Sequence, residues 1–275
     1  MLNLFNYIDR PSPIHRLTGA TKLICLILWT VAVMTSFYTP LLIVMSIGAF
    51  ALFKAANLKL RDISFVLSLM IAYVVLNNLL IYLFSPDHGV NLYGSRTVLL
   101  PFWGKYALTA EQLFYHLNVV LKNASTIPIV LLFVSTTNPS EFAASLNRVG
   151  VSYRISYAVA LALRYIPDIQ REYRDIALAQ QARGVEMSKK AAFFDRIKAA
   201  GSILIPLILS SLDRIETISN AMELRGFGKN KNRSWYSSRK FSQMDILFII
   251  CAVVLMLLSF LLTYLKGGRY FNPFV

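Results

Sequence analysis

The chain has 275 residues, 56% of them hydrophobic and only 15% charged, and Lys plus Arg outnumber Asp plus Glu by 28 to 14. That composition excludes an ordinary water-soluble domain, and the length allows several membrane crossings. The two cysteines, Cys25 and Cys251, both lie in apolar runs and read as small hydrophobes, which argues against a disulfide framework.

Residues Met1 to Arg16 carry Pro11, Pro13 and charges but no cleavable signal pattern, so the apolar run that follows reads as a retained span. From Leu23 to Phe53 no residue is charged. At about 1.5 Å per residue the run makes roughly 46 Å of helix, more than one crossing needs. A turn around Ser36 to Pro40 therefore divides it into spans over 23–39 and 40–57, with Lys54 snorkelling near the end of the second. A third span covers 63–84 and is closed by Ser85 and Pro86. The fourth, 111–134, contains His116, Lys122 and Pro128 and must lean on other helices. The fifth, Ile246 to Leu265, is uncharged throughout.

Charge placement orients these spans. Three Lys or Arg precede the first span, three (Lys54 at the end of the second span, Lys59 and Arg61) lie ahead of the third, and seventeen lie between Pro139 and Lys240. The opposite side receives Arg96, Lys105, Lys266 and Arg269, a ratio of 23 to 4. Basic segments stay on the cytoplasmic side, so the N-terminus and the long arm are expected inside and the C-terminus outside. The expected organisation is a membrane domain over 1–138, a cytoplasmic helical domain over 139–240, and a final span with an outside tail over 241–275. The fold class is all-α: a polytopic membrane protein with about five transmembrane helices and a cytoplasmic domain of long helices.

Within the arm, Asn138-Pro139-Ser140-Glu141 is a helix-start signal, and Asn147 to Gly150 ends that helix. A second helix is expected from about Ser152 to Arg183 with a bend at Pro167. A third stretch, from about Lys190 to Arg225, is expected to be interrupted by Gly201 and Pro206. Ile155 to Leu163 and Ile203 to Leu209 are apolar but too short to cross, which suits helices lying at the cytoplasmic face. Both long helices finish on the same words: Ala179-Gln-Gln-Ala-Arg-Gly184 and Ala221-Met-Glu-Leu-Arg-Gly226. Gly after a helix takes the left-handed conformation that stops it, and Arg in the last turn complements the dipole. Arg also grips carboxylates and carbonyls through a planar fork, so two such tips form a paired docking device, unless Arg-Gly is merely a good helix ending.

The arm resembles the T component of energy-coupling factor transporters, a family of membrane subunits of cobalt, nickel and vitamin uptake systems. The matching residues are Thr136-Thr137-Asn138-Pro139 with Glu141, Ala162-Leu163-Arg164-Tyr165-Ile166-Pro167, Ala179 to Gly184, and Leu224-Arg225-Gly226-Phe227, in the family's order. The N-terminal half matches more loosely, through His15-Arg16-Leu17 and Thr21-Lys22-Leu23. Leu224 stands where the family has Ala. The resemblance implies crossed coupling helices in a bacterial or archaeal cell membrane. It implies that Ala182, Arg183, Gly184, Leu224, Arg225 and Gly226 dock on two ABC-type ATPase subunits, and that a small membrane subunit binding a vitamin, vitamin precursor or transition-metal ion is reoriented by their closure. ATP and Mg would be held by those ATPases, and no cofactor by this chain.

The residues agree that the chain is no enzyme, since it has no Gly-x-x-x-x-Gly-Lys-Ser/Thr pattern and Gly226-Phe-Gly228-Lys229 lacks the spacing. His15, His88 and His116 lie in three segments with no metal-ligand spacing. Ile203, Leu204, Leu207 and Ile208 could form an apolar saddle for the substrate subunit or be buried against lipid or the chain's own spans. Small residues, including Ala158, Ala160, Ala162, Ala177, Ala179, Ala182, Ala199, Ala200 and Gly201, permit close crossing, although alanine also simply favours helix. Asn77, Asn78, His116 and Lys122 line a solute path or, more plainly, cross-link spans. Lys189-Lys190 and Lys229 to Arg233 suit anionic membrane lipid, with nucleic acid an improbable partner. The alternative function is a self-contained secondary transporter, which would carry solute in liposomes without companions.

Overall fold

The computed structural model describes residues 12–58, 60–100, 106–185, 193–229, 235, 239–265 and 270–273, without the side chains of 60–63 and 193. Lys189-Lys190, and Lys231 to Arg233 of the second basic run, lie outside the described residues. Internal contacts divide the chain into two units, Met1–Asn138 with Arg239–Val275, and Pro139–Ser238.

The first unit begins with a single turn, α1 (Pro13–Arg16), capped by Ser12, whose Oγ accepts from His15 N at 3.3 Å. The long apolar run is a helical hairpin, α2 (Gly19–Thr35) and α3 (Thr39–Ala55). It breaks where it does because Pro40, which has no N–H to donate, falls in the first turn of α3, where that donor has no helical partner anyway. Asn57, with φ 54°, takes the left-handed conformation that turns the chain after α3. Next come α4 (Leu60–Phe84), a short α5 (His88–Tyr93), and a two-stranded antiparallel ribbon of β1 (Val98–Leu100) and β2 (Leu108–Thr109) with Val98 opposite Thr109 and Leu100 opposite Leu108. Then α6 (Ala110–Thr136) starts on a Thr109 cap, and α10 (Gln243–Leu265) completes the unit. Among the described residues Ser64–Phe84, Ala110–Thr136 and Gln243–Leu265 are long and apolar enough to cross a membrane, and α2 and α3 are shorter apolar helices. The chain is an all-α polytopic membrane protein.

The core packs α2, α3 and α6 around Trp29, Val33, Leu42, Met45 and Ile129, with Ala32 and Ala49 fully buried where helices approach. Polar side chains inside it are spent on backbone carbonyls. The first span starts four residues earlier than the uncharged run and so takes in Lys22, which is buried and donates to Thr136 O at 2.7 Å. Thr136 is the last residue of α6, where carbonyls lack helical partners and the dipole is negative. Lys122 on α6 does the reverse, donating to Met34 O in the last turn of α2 at 3.2 Å with its ammonium 3.3 Å from the centre of the Phe37 ring. Each of two antiparallel helices thus has its C-terminal end met by a lysine from the other. Lys122 needs no acidic partner for this, in keeping with a cross-linking role.

Asp245, in the first turn of α10, ties that helix to α2: its carboxylate accepts from Thr18 N at 2.9 Å and from Ser242 N at 2.7 Å. Further along, Ser259 donates to Ala32 O at 2.8 Å and Trp29 Nε1 to Ser125 Oγ at 3.0 Å. At the start of α6 the buried Glu111 accepts from Thr97 N with both oxygens, at 2.9 and 3.0 Å. Gln112 accepts from Gly89 N at 2.7 Å and reaches His116 Nε2 at 3.1 Å, while His116 Nδ1 meets Asn78 Oδ1 at 2.9 Å. Asn78 offers its oxygen there and Gln112 its amide hydrogens, which sets the imidazole as the neutral Nδ1–H tautomer. His116 and Asn78 therefore cross-link spans, and Asn77 takes no part in this network.

Gly89 presses on α6 so closely that an added Cβ would lie 2.6 Å from the Glu111 backbone carbonyl. Gly89→Ala is expected to destabilise the unit by about 1–3 kcal/mol through overpacking. Thermal unfolding in mild detergent should register it as a clear fall in midpoint, with Gly94→Ala, which has open space around its Cβ position but a left-handed φ, as a strain-only comparison.

Candidate functional site

The second unit holds α7 (Pro139–Arg148), α8 (Tyr153–Ala182) and α9 (Phe193–Leu224). At about 1.5 Å per residue, α8 and α9 are each about 45 Å long. Pro167 lies within α8, and α9 runs unbroken through Gly201 and Pro206, which corrects the expected interruption. The physical reason is visible at the carbonyl that Pro206 leaves without its helical donor. That group is Ser202 O, and Gln180 Nε2 of α8 donates to it at 3.1 Å. Gly201 is no break because a lone glycine costs helix only about 1 kcal/mol, which tertiary contact offsets.

α8 and α9 pair antiparallel. Gln180 faces Ser202, while Glu172 accepts from Ser210 Oγ and from Arg214 Nη2, the latter at 2.6 Å. At the other end of α8, Arg154 Nη2 reaches Gly228 O at 3.5 Å, and Tyr153 and Tyr157 pack on Phe227 with ring centres 5.7 and 4.9 Å away. The two Arg-Gly ends therefore sit at opposite ends of the helix pair, about 40 Å apart along a straight helix. Most of the small residues do not mediate the pairing: Ala177 and Ala199 are buried, but Ala158, Ala162, Ala179, Ala182 and Ala200 are exposed, and an added Cβ at Gly201 would meet nothing within 4 Å.

Both tips close by the same hydrogen bonds. After α8, Val185 N donates to Gln180 O and Gly184 N to Gln181 O, each at 3.0 Å, with Gly184 at φ 84°. After α9, Phe227 N donates to Met222 O at 2.9 Å and Gly226 N to Glu223 O at 2.8 Å, with Gly226 at φ 67°. This is the Schellman ending, and in each case arginine occupies the residue before the glycine. A third copy closes α7, where Val151 N donates to Leu146 O at 3.0 Å and Gly150 N to Asn147 O at 3.2 Å, with φ 112° at Gly150. There the residue before the glycine is Val149. A helix ending of this kind thus forms without arginine, and Arg183 and Arg225 are surplus to it.

Ala182, Arg183 and Gly184 are exposed, as are Arg225 and Leu224, the latter 90% exposed. The second tip differs from the first in its surroundings, since Phe227 joins Tyr153, Tyr157 and Trp235 in an aromatic cluster, and Trp235 Nε1 donates to Asn147 Oδ1 at 3.0 Å. Of the four saddle residues, Ile203 and Leu207 are buried, whereas Leu204 and Ile208 are exposed and continue a stripe through Leu212 and Ile215. Gln180 and Glu172 tie the pair, Glu172 without forming part of any motif in the sequence. Pro206 is the signal for Gln180, because a proline inside a helix frees the carbonyl four residues back for a donor from elsewhere.

A family model described as cobalt transport protein, CbiQ, matches residues 10–236. The chain belongs to this family. Relatives named energy-coupling factor transporter transmembrane protein EcfT include one from Exiguobacterium sibiricum, 29% identical over 60% of this chain and 65% of its own length. Those from Bacillus selenitireducens and Limosilactobacillus fermentum are 28% and 26% identical over 91% and 93% of this chain and 94% and 95% of their own lengths. As a member of the EcfT/CbiQ-like family of transmembrane components, the chain is a multi-pass membrane transport protein.

Because glycine conformation and not arginine stops each helix, Arg183→Ala should leave unfolding midpoints of the protein unchanged. Gly184→Val should cost about 1–2 kcal/mol locally, as a side chain is forced into left-handed backbone. Hydrogen exchange read at the Val185 amide should accelerate in Gly184→Val and stay at the parent rate in Arg183→Ala.

Proposed function

We propose that this chain is the coupling subunit of an energy-coupling factor importer, with its N-terminus and the Pro139–Ser238 unit in the cytoplasm and its C-terminus outside. Arg183 and Arg225, flanked by Ala182, Gly184, Leu224 and Gly226, dock on two ABC-type ATPase subunits that hold ATP and Mg. A separate small membrane subunit, resting in part on exposed Leu204 and Ile208, binds a vitamin, vitamin precursor or transition-metal ion. Closure of the ATPase pair displaces the two helix tips, and α8 and α9 pass the motion to that subunit, which reorients in the membrane.

The observation that carries this reading is the pair of arginines at helix endings whose hydrogen bonding does not call for them, as Val149 at the same ending of α7 attests. A guanidinium held at a stiff, exposed helix end offers several donors in a fixed plane to a partner's carboxylates or carbonyls. Leu224, an almost fully exposed leucine beside Arg225, adds apolar area at the same contact.

The test is purification of the tagged chain with its companions in mild detergent. The parent is expected to bring two ATPase chains and a small membrane protein. Arg183→Glu with Arg225→Glu should remove the ATPases or abolish ATP-dependent uptake while the chain keeps its parent unfolding midpoint. Full assembly and uptake in the double variant would refute the docking role, and solute flux in liposomes holding this chain alone would favour a secondary transporter.

A further inference from the structure

Between α3, α4 and α6 lies an apolar groove of about 680 Å³, wholly within the first unit. Twelve of its fourteen lining side chains are apolar, the exceptions being Lys54 and Asn123. Asn123 is already engaged, its amide donating to Val119 O at 2.9 Å. The far wall is α4, whose Ile71 and Val75 line the groove and are 55% and 63% exposed. Walls of this kind forfeit dispersion contacts unless something fills the space between them.

The groove is short. On α6 it runs from Val120 to Leu131, eleven residue steps or about 16 Å of helix, which is one leaflet of a hydrocarbon core about 30 Å thick. A crossing helix from another protein would need a seam along both leaflets, whereas a lipid tail needs one. The groove also has a charged end. Lys54, in the last turn of α3, is exposed at its rim. An apolar slot of one-leaflet depth with an ammonium at one end matches an acyl chain below a phosphate.

We propose that this groove binds one acyl chain of an anionic glycerophospholipid from the leaflet at the Lys54 end, with the lipid phosphate on the Lys54 ammonium. The chain fills the space between α4 and the α3–α6 pair, and the headgroup charge selects among lipids. The site is independent of the helix tips.

A tryptophan placed by Ile71→Trp reports on the groove when the purified full complex is reconstituted into phosphatidylcholine vesicles containing brominated phosphatidylglycerol or brominated phosphatidylcholine, with the parent subtracted. Half-maximal quenching is expected at an about fivefold lower mole fraction of the anionic lipid, the ratio one lysine near a lipid phosphate provides. Lys54→Ala should erase that preference, Lys54→Arg should keep it, and Ala124→Phe, which fills the groove, should weaken quenching by both lipids. Equal quenching by the two lipids, a preference surviving Lys54→Ala, or a tryptophan shielded from both lipids in the complex by a protein subunit would overturn the proposal.

Discussion

A backbone carbonyl without a donor is the constraint around which this molecule is arranged. In a hydrocarbon interior no water is available to meet it, so a carbonyl left open at a helix end there is met by a side chain from a neighbouring helix. Lys22 meets the end of α6, and Lys122 and Ser259 meet the end of α2; in the second unit, away from the spans, Gln180 meets the carbonyl that Pro206 frees in α9. These bonds do more than satisfy valence. Each joins two helices, and together they fix which helices are neighbours and at what depth. The lysines are well placed because the groups they meet carry the negative end of a helix dipole, so a buried ammonium finds several partial charges in place of one carboxylate.

Much of this organisation was legible in the sequence, for reasons that differ by element. The hairpin of α2 and α3 followed from run length and Pro40, and α10 from an uncharged stretch; both depend on solvent preference, which is a property of residues one at a time. The arrangement of polar residues was less legible. That Lys122 sits over Phe37 and under Met34 O depends on which faces of α2 and α6 meet, and no periodicity in either helix states that. Pro206 misled in the same way. Taken alone it reads as an interruption, whereas α9 runs on and the freed carbonyl is met by Gln180 from a segment over twenty residues earlier. The repeated Arg-Gly was visible as a motif, but the evidence that arginine exceeds what the ending requires came from Val149, where the backbone does the same thing with a different side chain.

The pair formed by α8 and α9 is tied together at several points along its length. Two long helices are joined at Gln180 with Ser202, at Glu172 with Ser210 and Arg214, and at the aromatic cluster around Phe227. Antiparallel pairing places the two tips at opposite ends of the pair.

The shared ending of α7, α8 and α9 has one more implication. Because glycine and the final carbonyls stop the helix, the ending itself does not dictate the residue just before that glycine, which is valine in α7 and arginine in α8 and α9. The chemistry presented at each tip is therefore set separately from the backbone geometry that ends the helix.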